Sequence, residues 1–212
     1  MAGKRSYDDP CGVARALQLV GERWALLVVR ELLLGPKRFT DLSRGLPGMS
    51  QNVLSQRLRE LEEAGIVRRR RLGPPASTGG YELTERGAEL EPVLVALGRW
   101  GSRAPLGTPG ELSVDALILA LKTTFDPAAA GELRASVGLW LGPDRFHTTI
   151  GDRRFAVTRS EAAADAVLHT DAKTLRGLVF GGNPIDDGVR VDGDRSVAAR
   201  FVRCFPRPTP VV

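Results

Sequence analysis

Apolar residues in the first hundred positions recur at intervals of three and four, which is the period of amphipathic helices. Two helices are predicted between Gly12 and Leu34, and a short helix from Phe39 to Leu46 with Thr40 as its N-cap. A fourth helix is predicted from Gln51 to Ala64, with Gly65 as its C-cap. Its apolar face is formed by Leu54, Leu58 and Leu61.

The pattern changes after Gly65, and the next segment is predicted to be a β-hairpin with a tip of small residues. Its strand, loop and returning strand are Ile66 to Leu72, Gly73 to Gly80 and Tyr81 to Leu83. Thr84 is expected to cap a helix that runs toward Trp100, and Pro92 is expected to kink that helix. Its apolar stripe consists of Leu90, Leu94, Leu97 and Trp100. Three helices followed by a hairpin form the order of a winged helix-turn-helix, which predicts that fold for residues 1–104.

A segment rich in proline and glycine, residues 105–111, is predicted to link this domain to a second one, residues 112–212. In the second domain, helices and strand-like runs separated by turn residues are predicted. In chain order these are Leu112 to Phe125, Leu133 to Leu141, Arg145 to Ile150, Arg153 to Thr158, Ala166 to Thr170, Asp171 to Phe180, Val189 to Val191 and Ser196 to Phe205. The second domain is therefore expected to be α+β with a mainly antiparallel sheet, and the whole chain belongs to the α+β class.

The positive charge of the chain is concentrated in its first half. Residues 1–104 contain 17 Lys and Arg against 12 Asp and Glu, whereas residues 105–212 contain 13 of each. Because duplex DNA is a polyanion, this imbalance favours contact between the first half and phosphates. Charged residues interrupt every long apolar run and no signal peptide is recognised, so a soluble, cytoplasmic protein without membrane contact is expected.

The helix that follows Ser50 carries polar groups of the kinds that pair with base edges in a DNA groove. These side chains are Gln51, Asn52, Ser55, Gln56 and Arg59. In the hairpin, the four arginines of residues 68–71 alternate across a strand, so two of them point to each side and one side can clamp phosphates. A solvated helix face and solubilising arginines would explain either feature alone. Together with the helix order and the charge distribution, they predict double-stranded DNA as the partner.

Specific motifs within residues 11–102 support the same prediction. They are Cys11, Gly21-Glu22-Arg23-Trp24, Gly35, Arg38 to Leu42, Ser50, Leu58 to Gly65, Arg69, Tyr81 to Thr84, Gly87 and Trp100-Gly101. Through them the segment resembles the HxlR family of MarR-like bacterial regulators. The resemblance implies a transcription regulator, commonly a repressor, that binds its operator as a homodimer built from the terminal helices of the domain. The wing tip, residues 76–80, contains more glycine than is usual in the family.

The predicted DNA contacts are Arg38, Thr40, Ser50, Gln51, Asn52, Ser55, Gln56, Arg59, Arg69, Arg71, Ser77 and Thr78. Cys11 has two interpretations. Some HxlR-type regulators use an N-terminal cysteine to sense oxidants or electrophiles, whereas a small buried residue that packs the first helix is the simpler expectation.

The second domain contains no set of nucleophile, base and orienting residue, so an enzyme is not expected, and no metal or cofactor site is recognised. Residues 165–205 resemble the sterol carrier protein type two fold, which implies an apolar cavity. The predicted lining is Trp140, Phe146, Phe155, Leu175, Leu178, Phe180, Phe201 and Phe205. Two alternatives remain open: binding of an apolar small-molecule effector, or a filled module used for dimerisation or protein interaction.

Overall fold

A computed structural model describes residues 7–73, 78–104, 110–185 and 188–209. The chain divides into two units, Met1–Leu94 and Val95–Val212. The division into domains 1–104 and 112–212 stays a prediction, and residues 105–109 of the predicted linker lie outside the described residues.

The helices of the first unit enclose an apolar core, with Val28, Val29 and Leu42 fully buried. They are α1 (Gly12–Val20), α2 (Ala25–Leu32), α3 (Phe39–Gly45), α4 (Gln51–Glu63), α5 (Glu85–Ala88) and α6 (Glu91–Gly101), the last crossing the unit boundary. The helices predicted around residues 12–34, 39–46 and 51–64 are therefore confirmed.

Both ends of α4 follow from its sequence. At its start, the Ser50 hydroxyl accepts a hydrogen bond from the Val53 N–H at 3.3 Å. At its end, Gly65 adopts a φ of +67°, and its N–H donates to the Glu62 carbonyl while the Ile66 N–H donates to the Leu61 carbonyl. This is a Schellman motif, in which glycine takes the left-handed position.

The sheet of the first unit has the order β1-β3-β2, and both pairings are antiparallel. Its strands are β1 (Lys37–Arg38), β2 (Val67–Leu72) and β3 (Thr78–Leu83). The prediction that residues 78–80 belong to a loop is wrong, because Gly80 pairs with Arg70 on one side and Arg38 on the other. A Cβ on Gly80 would also lie 2.5 Å from the end of the Leu72 side chain and 3.0 Å from the Lys37 carbonyl oxygen, so the close approach of both neighbouring strands favours glycine here.

Two helix boundaries differ from the prediction. The N-cap of α3 is Arg38 rather than Thr40, and the Asp41 carboxylate accepts the Arg38 N–H at 3.3 Å. The helix predicted to run from Thr84 with a kink at Pro92 is instead two helices, α5 and α6. Pro92 occupies the first turn of α6. The N–H groups of a first turn have no acceptor within the helix, so a proline there removes no hydrogen bond. Of the predicted stripe, Leu94 is buried.

The second unit combines helices with a sheet of order β6-β5-β4-β7-β8. Its elements are α7 (Val114–Thr124), α8 (Pro127–Ala130), β4 (Ala135–Leu141), β5 (Asp144–Gly151), β6 (Arg154–Thr158), β7 (Ala166–Thr170), α9 (Ala172–Phe180), β8 (Arg190–Gly193) and α10 (Arg195–Arg203). Within the described strands β4 and β7 pair in parallel and the other pairs are antiparallel, as predicted for a mainly antiparallel sheet. The short helix α8 was not predicted.

Candidate nucleic-acid interface

The polar face of α4 is open to solvent along its first two turns. Gln51, Asn52, Gln56 and Arg59 are exposed and Ser55 is half-buried, whereas the opposite face buries Leu54, Leu58 and Leu61. The Gln56 amide donates to the Glu60 carboxylate at 3.0 Å. Within the part of the chain that the structure describes, the Arg59 guanidinium has no hydrogen bond or ion pair. This face therefore presents the amides of Gln51 and Asn52 and the guanidinium of Arg59 without side-chain partners among the described residues, whereas the Gln56 amide is engaged.

A buried arginine fixes the rotation of α4. The Arg57 side chain is only 10% exposed, and its guanidinium lies 3.7 Å from the Glu22 carboxylate and pairs with Glu60. Glu22 precedes α2, so this contact holds the chain between α1 and α2 against the back of α4. This role of Arg57 was not predicted from the sequence, although an arginine one position before the buried Leu58 falls at the edge of the apolar face.

The arginines of the hairpin point alternately to its two sides, as predicted. On one side, Glu82 accepts hydrogen bonds from the Arg68 Nε at 2.8 Å and from an Arg70 terminal nitrogen at 2.5 Å. Hydrogen bonds from Arg70 and Arg68 hold the pKa of Glu82 below its usual value, so this carboxylate is charged at neutral pH. Two of the four wing arginines therefore share one negative charge.

The other side of the hairpin carries Arg69 and Arg71. The Arg69 Nε donates to the Glu62 carboxylate of α4 at 3.1 Å, and its guanidinium lies 5.9 Å from the centre of the Tyr81 ring. Arg71 is exposed and pairs across the strands with Gly79, which has no side chain. Arg69 is thus partly engaged, whereas the residue paired with Arg71 has no side chain to cover it.

The remaining predicted contacts lie at the start of α3 and at the wing tip. Arg38 and Thr40 are both exposed, and the register Arg38, Gly80, Arg70 puts Arg38 on the same side of the sheet as Arg70. Thr78 is the first residue of β3. Ser77 lies outside the described residues.

Glu31 ties the sheet to the helices. Its carboxylate is fully buried and accepts hydrogen bonds from Arg30 at 2.9 Å and from the Lys37 ammonium at 2.7 Å. Because Lys37 belongs to β1, this ion pair links α2 to the strand beside the wing. The carboxylate also occupies the space where a Cβ on Gly45 would lie. Glu31 itself is the sequence signal for this buried network, because it is a glutamate at a position within the apolar stripe of α2.

Cys11 is exposed, and the expectation of a small buried residue is wrong. The residue is the N-cap of α1, and its sulfur accepts the Ala14 N–H at 3.3 Å. A cysteine replaces the usual serine or aspartate of such a cap, which leaves its thiol at the surface.

Two helices expose apolar side chains. On α1 these are Val13 and Leu17, 70% and 43% exposed. On α6 they are Val93, Leu97 and Trp100, of which Trp100 is 78% exposed. Both sets follow helical spacing, so each forms a continuous apolar stripe.

The residues predicted to line a cavity in the second unit do not gather at one site. Phe155, Phe201 and Phe205 pack together, with ring centres 5.0 Å (Phe155 to Phe205) and 4.9 Å (Phe201 to Phe205) apart. Phe146, Leu175 and Leu178 are buried in the core. Trp140 lies on the opposite side of the sheet from these rings, with the Arg145 guanidinium 4.6 Å from its ring centre. Phe180 lies elsewhere, in the wall of a cleft.

Across the described ranges, no helix has both the length and the apolar character needed to cross a bilayer. Likewise, no three or more His, Cys, Asp and Glu side chains of those ranges come together in a way that would hold a metal ion.

Comparison with known proteins identifies relatives of the first unit. Residues 19–105 match the family described as HxlR-like helix-turn-helix. An HTH-type transcriptional regulator of Mycobacterium tuberculosis is 43% identical over 103 residues, which cover 47% of this chain and 65% of that protein. YvaP, an HTH-type transcriptional regulator of Bacillus subtilis, is 36% identical over 88 residues, which cover 42% of this chain and 82% of YvaP.

The match to the mycobacterial relative therefore spans less than two thirds of that protein's own length. Among solved structures, the reduced form of the transcriptional regulator YodB from B. subtilis is 35% identical, with a TM-score of 0.39. That alignment covers 49% of this chain and all of the YodB chain.

Proposed function

The chain belongs to the HxlR-like helix-turn-helix family, and on that premise we propose that it is a homodimeric, DNA-binding transcriptional regulator. The observation that carries the proposal is the exposed polar face of α4, which projects amide and guanidinium groups beside a basic hairpin. In a winged helix-turn-helix, the helix at this place in the order enters the major groove.

In this proposal, α4 reads bases. Gln51 and Asn52 occupy the first turn, and glutamine and asparagine pair well with adenine in the major groove. Arg59 lies two turns further along the same helix, and its unengaged guanidinium matches the two acceptors of guanine. The Ser50 hydroxyl and the N–H groups at the start of α4 then face phosphate.

The wing and the start of α3 supply phosphate contacts in the same proposal. Arg71 and Arg38 are exposed, and Arg69 becomes available when phosphate replaces the Glu62 carboxylate. Such contacts fix the position of the protein on the duplex without reading sequence. They also make binding dependent on ionic strength, because each neutralised phosphate releases counterions.

The dimer is proposed to form through the apolar stripes of α1 and α6. In a monomer, apolar side chains such as Val13, Leu17 and Trp100 are in unfavourable contact with water. Packing against a second copy removes this apolar surface from water, which favours the dimer. A twofold dimer would present two copies of α4 to half-sites about 10 base pairs apart, centre to centre.

A comparison of variants tests the reading role. Arg59→Ala is expected to weaken binding to the selected operator roughly tenfold, and to relax the preference at one base position, with little effect on random DNA. Arg69→Ala is expected to weaken binding to both DNAs alike. Arg203→Ala, which removes an exposed arginine of α10, serves as the charge-matched control. Equal losses for Arg59→Ala on operator and random DNA would contradict base reading by α4.

We propose that the chain represses transcription, and that an apolar effector bound by the second unit relieves this repression. A mainly antiparallel sheet with helices is compatible with the sterol-carrier-like resemblance of residues 165–205. Coupling between an effector and DNA is commonly worth about 1–3 kcal/mol, or roughly fivefold to 150-fold in affinity. The competing function is a ligand-free module for dimerisation or protein interaction. Phe155, Phe201 and Phe205 pack against one another. At the position of these three rings, such packing favours the ligand-free module over a ligand site.

A second candidate function is thiol sensing by Cys11. The observation that favours it is the exposure of the sulfur at the start of α1, a helix that also carries part of the proposed dimer surface. A reagent that modified this thiol would therefore act close to that surface. Treatment with a quinone is expected to lower the DNA affinity of the wild type and leave Cys11→Ser unaffected. Full labelling of Cys11 without a change in DNA affinity would rule out the sensor.

A further inference from the structure

A cleft of about 1050 Å³ opens on the second unit beside α7 and α9. Its volume lies slightly above the range of roughly 300–1,000 Å³ that is typical of small-molecule sites. We propose that this cleft binds an amphipathic organic anion, a long apolar chain that ends in a carboxylate. The inference rests on the effector role proposed above and gives it a location and a ligand class.

The floor of the cleft suits an apolar chain. Ala120 of α7 presents only a methyl group to the cleft, whereas the Asn183 amide lies over Gly177 of α9, 2.7 Å from where a Cβ would be. Leu112, Phe180 and Pro208 add apolar surface around them. Burial of a chain of methylene groups against such surface is favourable, because it removes apolar surface from water.

The charges around the cleft select an anion. Lys173, Arg176 and Arg207 all line it, whereas Asp171 is the one carboxylate among its described lining residues. Asp171 is already committed, because it caps α9 by accepting the Thr174 N–H at 2.7 Å. The lining therefore has a surplus of positive charge.

The three cations are available for a ligand to different degrees. One terminal nitrogen of Arg176 donates to the Gly110 carbonyl at 2.6 Å, which fixes this side chain across the wall of the cleft. Lys173 and Arg207 are exposed. Neither has an ion-pair partner within 4.0 Å among the described residues. A carboxylate head is therefore expected to lie against Lys173 and Arg207, where charge-assisted hydrogen bonds are strongest.

The aromatic residues of this unit do not offer an equivalent site. Phe201 and Phe205 are each 1% exposed and pack edge to face, so no ligand fits between them without unpacking the core. Phe180 alone among the predicted lining residues reaches the cleft. The cleft, rather than the phenylalanine cluster, is where a ligand can enter.

The test uses the full chain and a dansylated undecanoate probe, whose fluorescence rises on transfer into an apolar site. Palmitate is expected to displace the probe, and hexadecanol, which has an uncharged head, is expected to compete roughly tenfold less well. Ala120→Trp fills the cleft and should abolish probe binding. The double variant Lys173→Gln, Arg207→Gln should bind palmitate roughly tenfold more weakly and hexadecanol unchanged. The double variant Arg200→Gln, Arg203→Gln removes two exposed positive charges of α10 outside the described lining, so it is the charge-matched control and should bind as the wild type does.

The proposal is overturned if palmitate does not displace the probe, if hexadecanol competes equally well, or if the double variant binds palmitate as the wild type does. The double variant changes exposed side chains only, so it remains informative if Ala120→Trp fails to fold. DNA affinity measured on the same samples separates the two proposals. Palmitate that binds the cleft without changing DNA affinity would uphold the cleft and contradict the effector role.

Discussion

Replacement of Glu82 by glutamine is expected to make the wing bind operator and random DNA more tightly by the same factor. In the wild type, the Glu82 carboxylate is shared by Arg68 and Arg70, which are 65% and 53% exposed. Arg38 lies on the same side of the sheet. Glutamine keeps the shape of the side chain but removes its charge, so the net charge of this side rises from +2 to +3.

The size of the effect follows from counterion release. One additional neutralised phosphate steepens the dependence of log affinity on log salt concentration by about 0.9. Between 50 and 200 mM salt, this is a further loss of affinity of roughly fourfold or less. The variant is expected to lose about 1 kcal/mol of stability at most, because exposed ion pairs are individually weak. The gain applies to all sequences alike, so the ratio of specific to random binding stays the same.

Fluorescence anisotropy with operator and random duplexes at four salt concentrations measures both quantities. Glu89→Gln is the matched control, because it removes an exposed carboxylate at the end of α5 that has no arginine partner among the described residues. An unchanged salt slope and unchanged random-DNA affinity in Glu82→Gln, with a normal melting curve, would refute the reasoning. A loss of affinity would also refute it, since Glu82 would then orient the arginines rather than neutralise them.

Further predictions concern stability, pH and assembly. Gly45→Ala should lower the free energy of unfolding by about 1–3 kcal/mol in thermal melts, because the new Cβ meets the buried Glu31 carboxylate; an increase, as helix propensity alone predicts, would contradict this. Hydrogen bonds from Ser196 lower the pKa of Asp194, so its contribution to stability is present at neutral pH and is lost as the pH falls through that lowered pKa. Asparagine caps helices about as well as aspartate and does not titrate, so Asp194→Asn should melt normally at pH 7 and lose less stability in acid; an identical acid loss would count against this capping role. Leu97→Asp should convert the dimer into a folded monomer in sedimentation experiments, and a stable dimer would exclude this stripe of α6 from the interface.

Local signals made α4 predictable almost to the residue. Ser50 and Gly65 determine its ends through hydrogen bonds within a few positions of the chain, and Leu54 and Leu58 determine its buried face. The strand alternation of residues 67–72 was predictable for the same reason, because a period of two depends only on the strand itself.

Features that depend on distant partners were not predictable. Gly80 is in a strand because β1, forty residues earlier, pairs with it, and single-residue preference alone favours a loop. The pairing of Glu82 with two arginines follows from the β2 to β3 register, which a long Gly-rich loop leaves undetermined in the sequence. The apolar residues of the second unit could be recognised as buried, but sequence does not distinguish a packed cluster such as Phe201 and Phe205 from the wall of a cleft.

Selection of binding sites by the purified full chain from a pool of random duplexes tests the central claim most directly. If the polar face of α4 reads DNA in a twofold dimer, the pool should converge on an inverted repeat whose half-sites are centred about 10 base pairs apart. The same selection with Arg59→Ala should lose the preference at one position of each half-site. No enrichment by the wild type at low ionic strength, or an identical site selected by Arg59→Ala, would contradict the account.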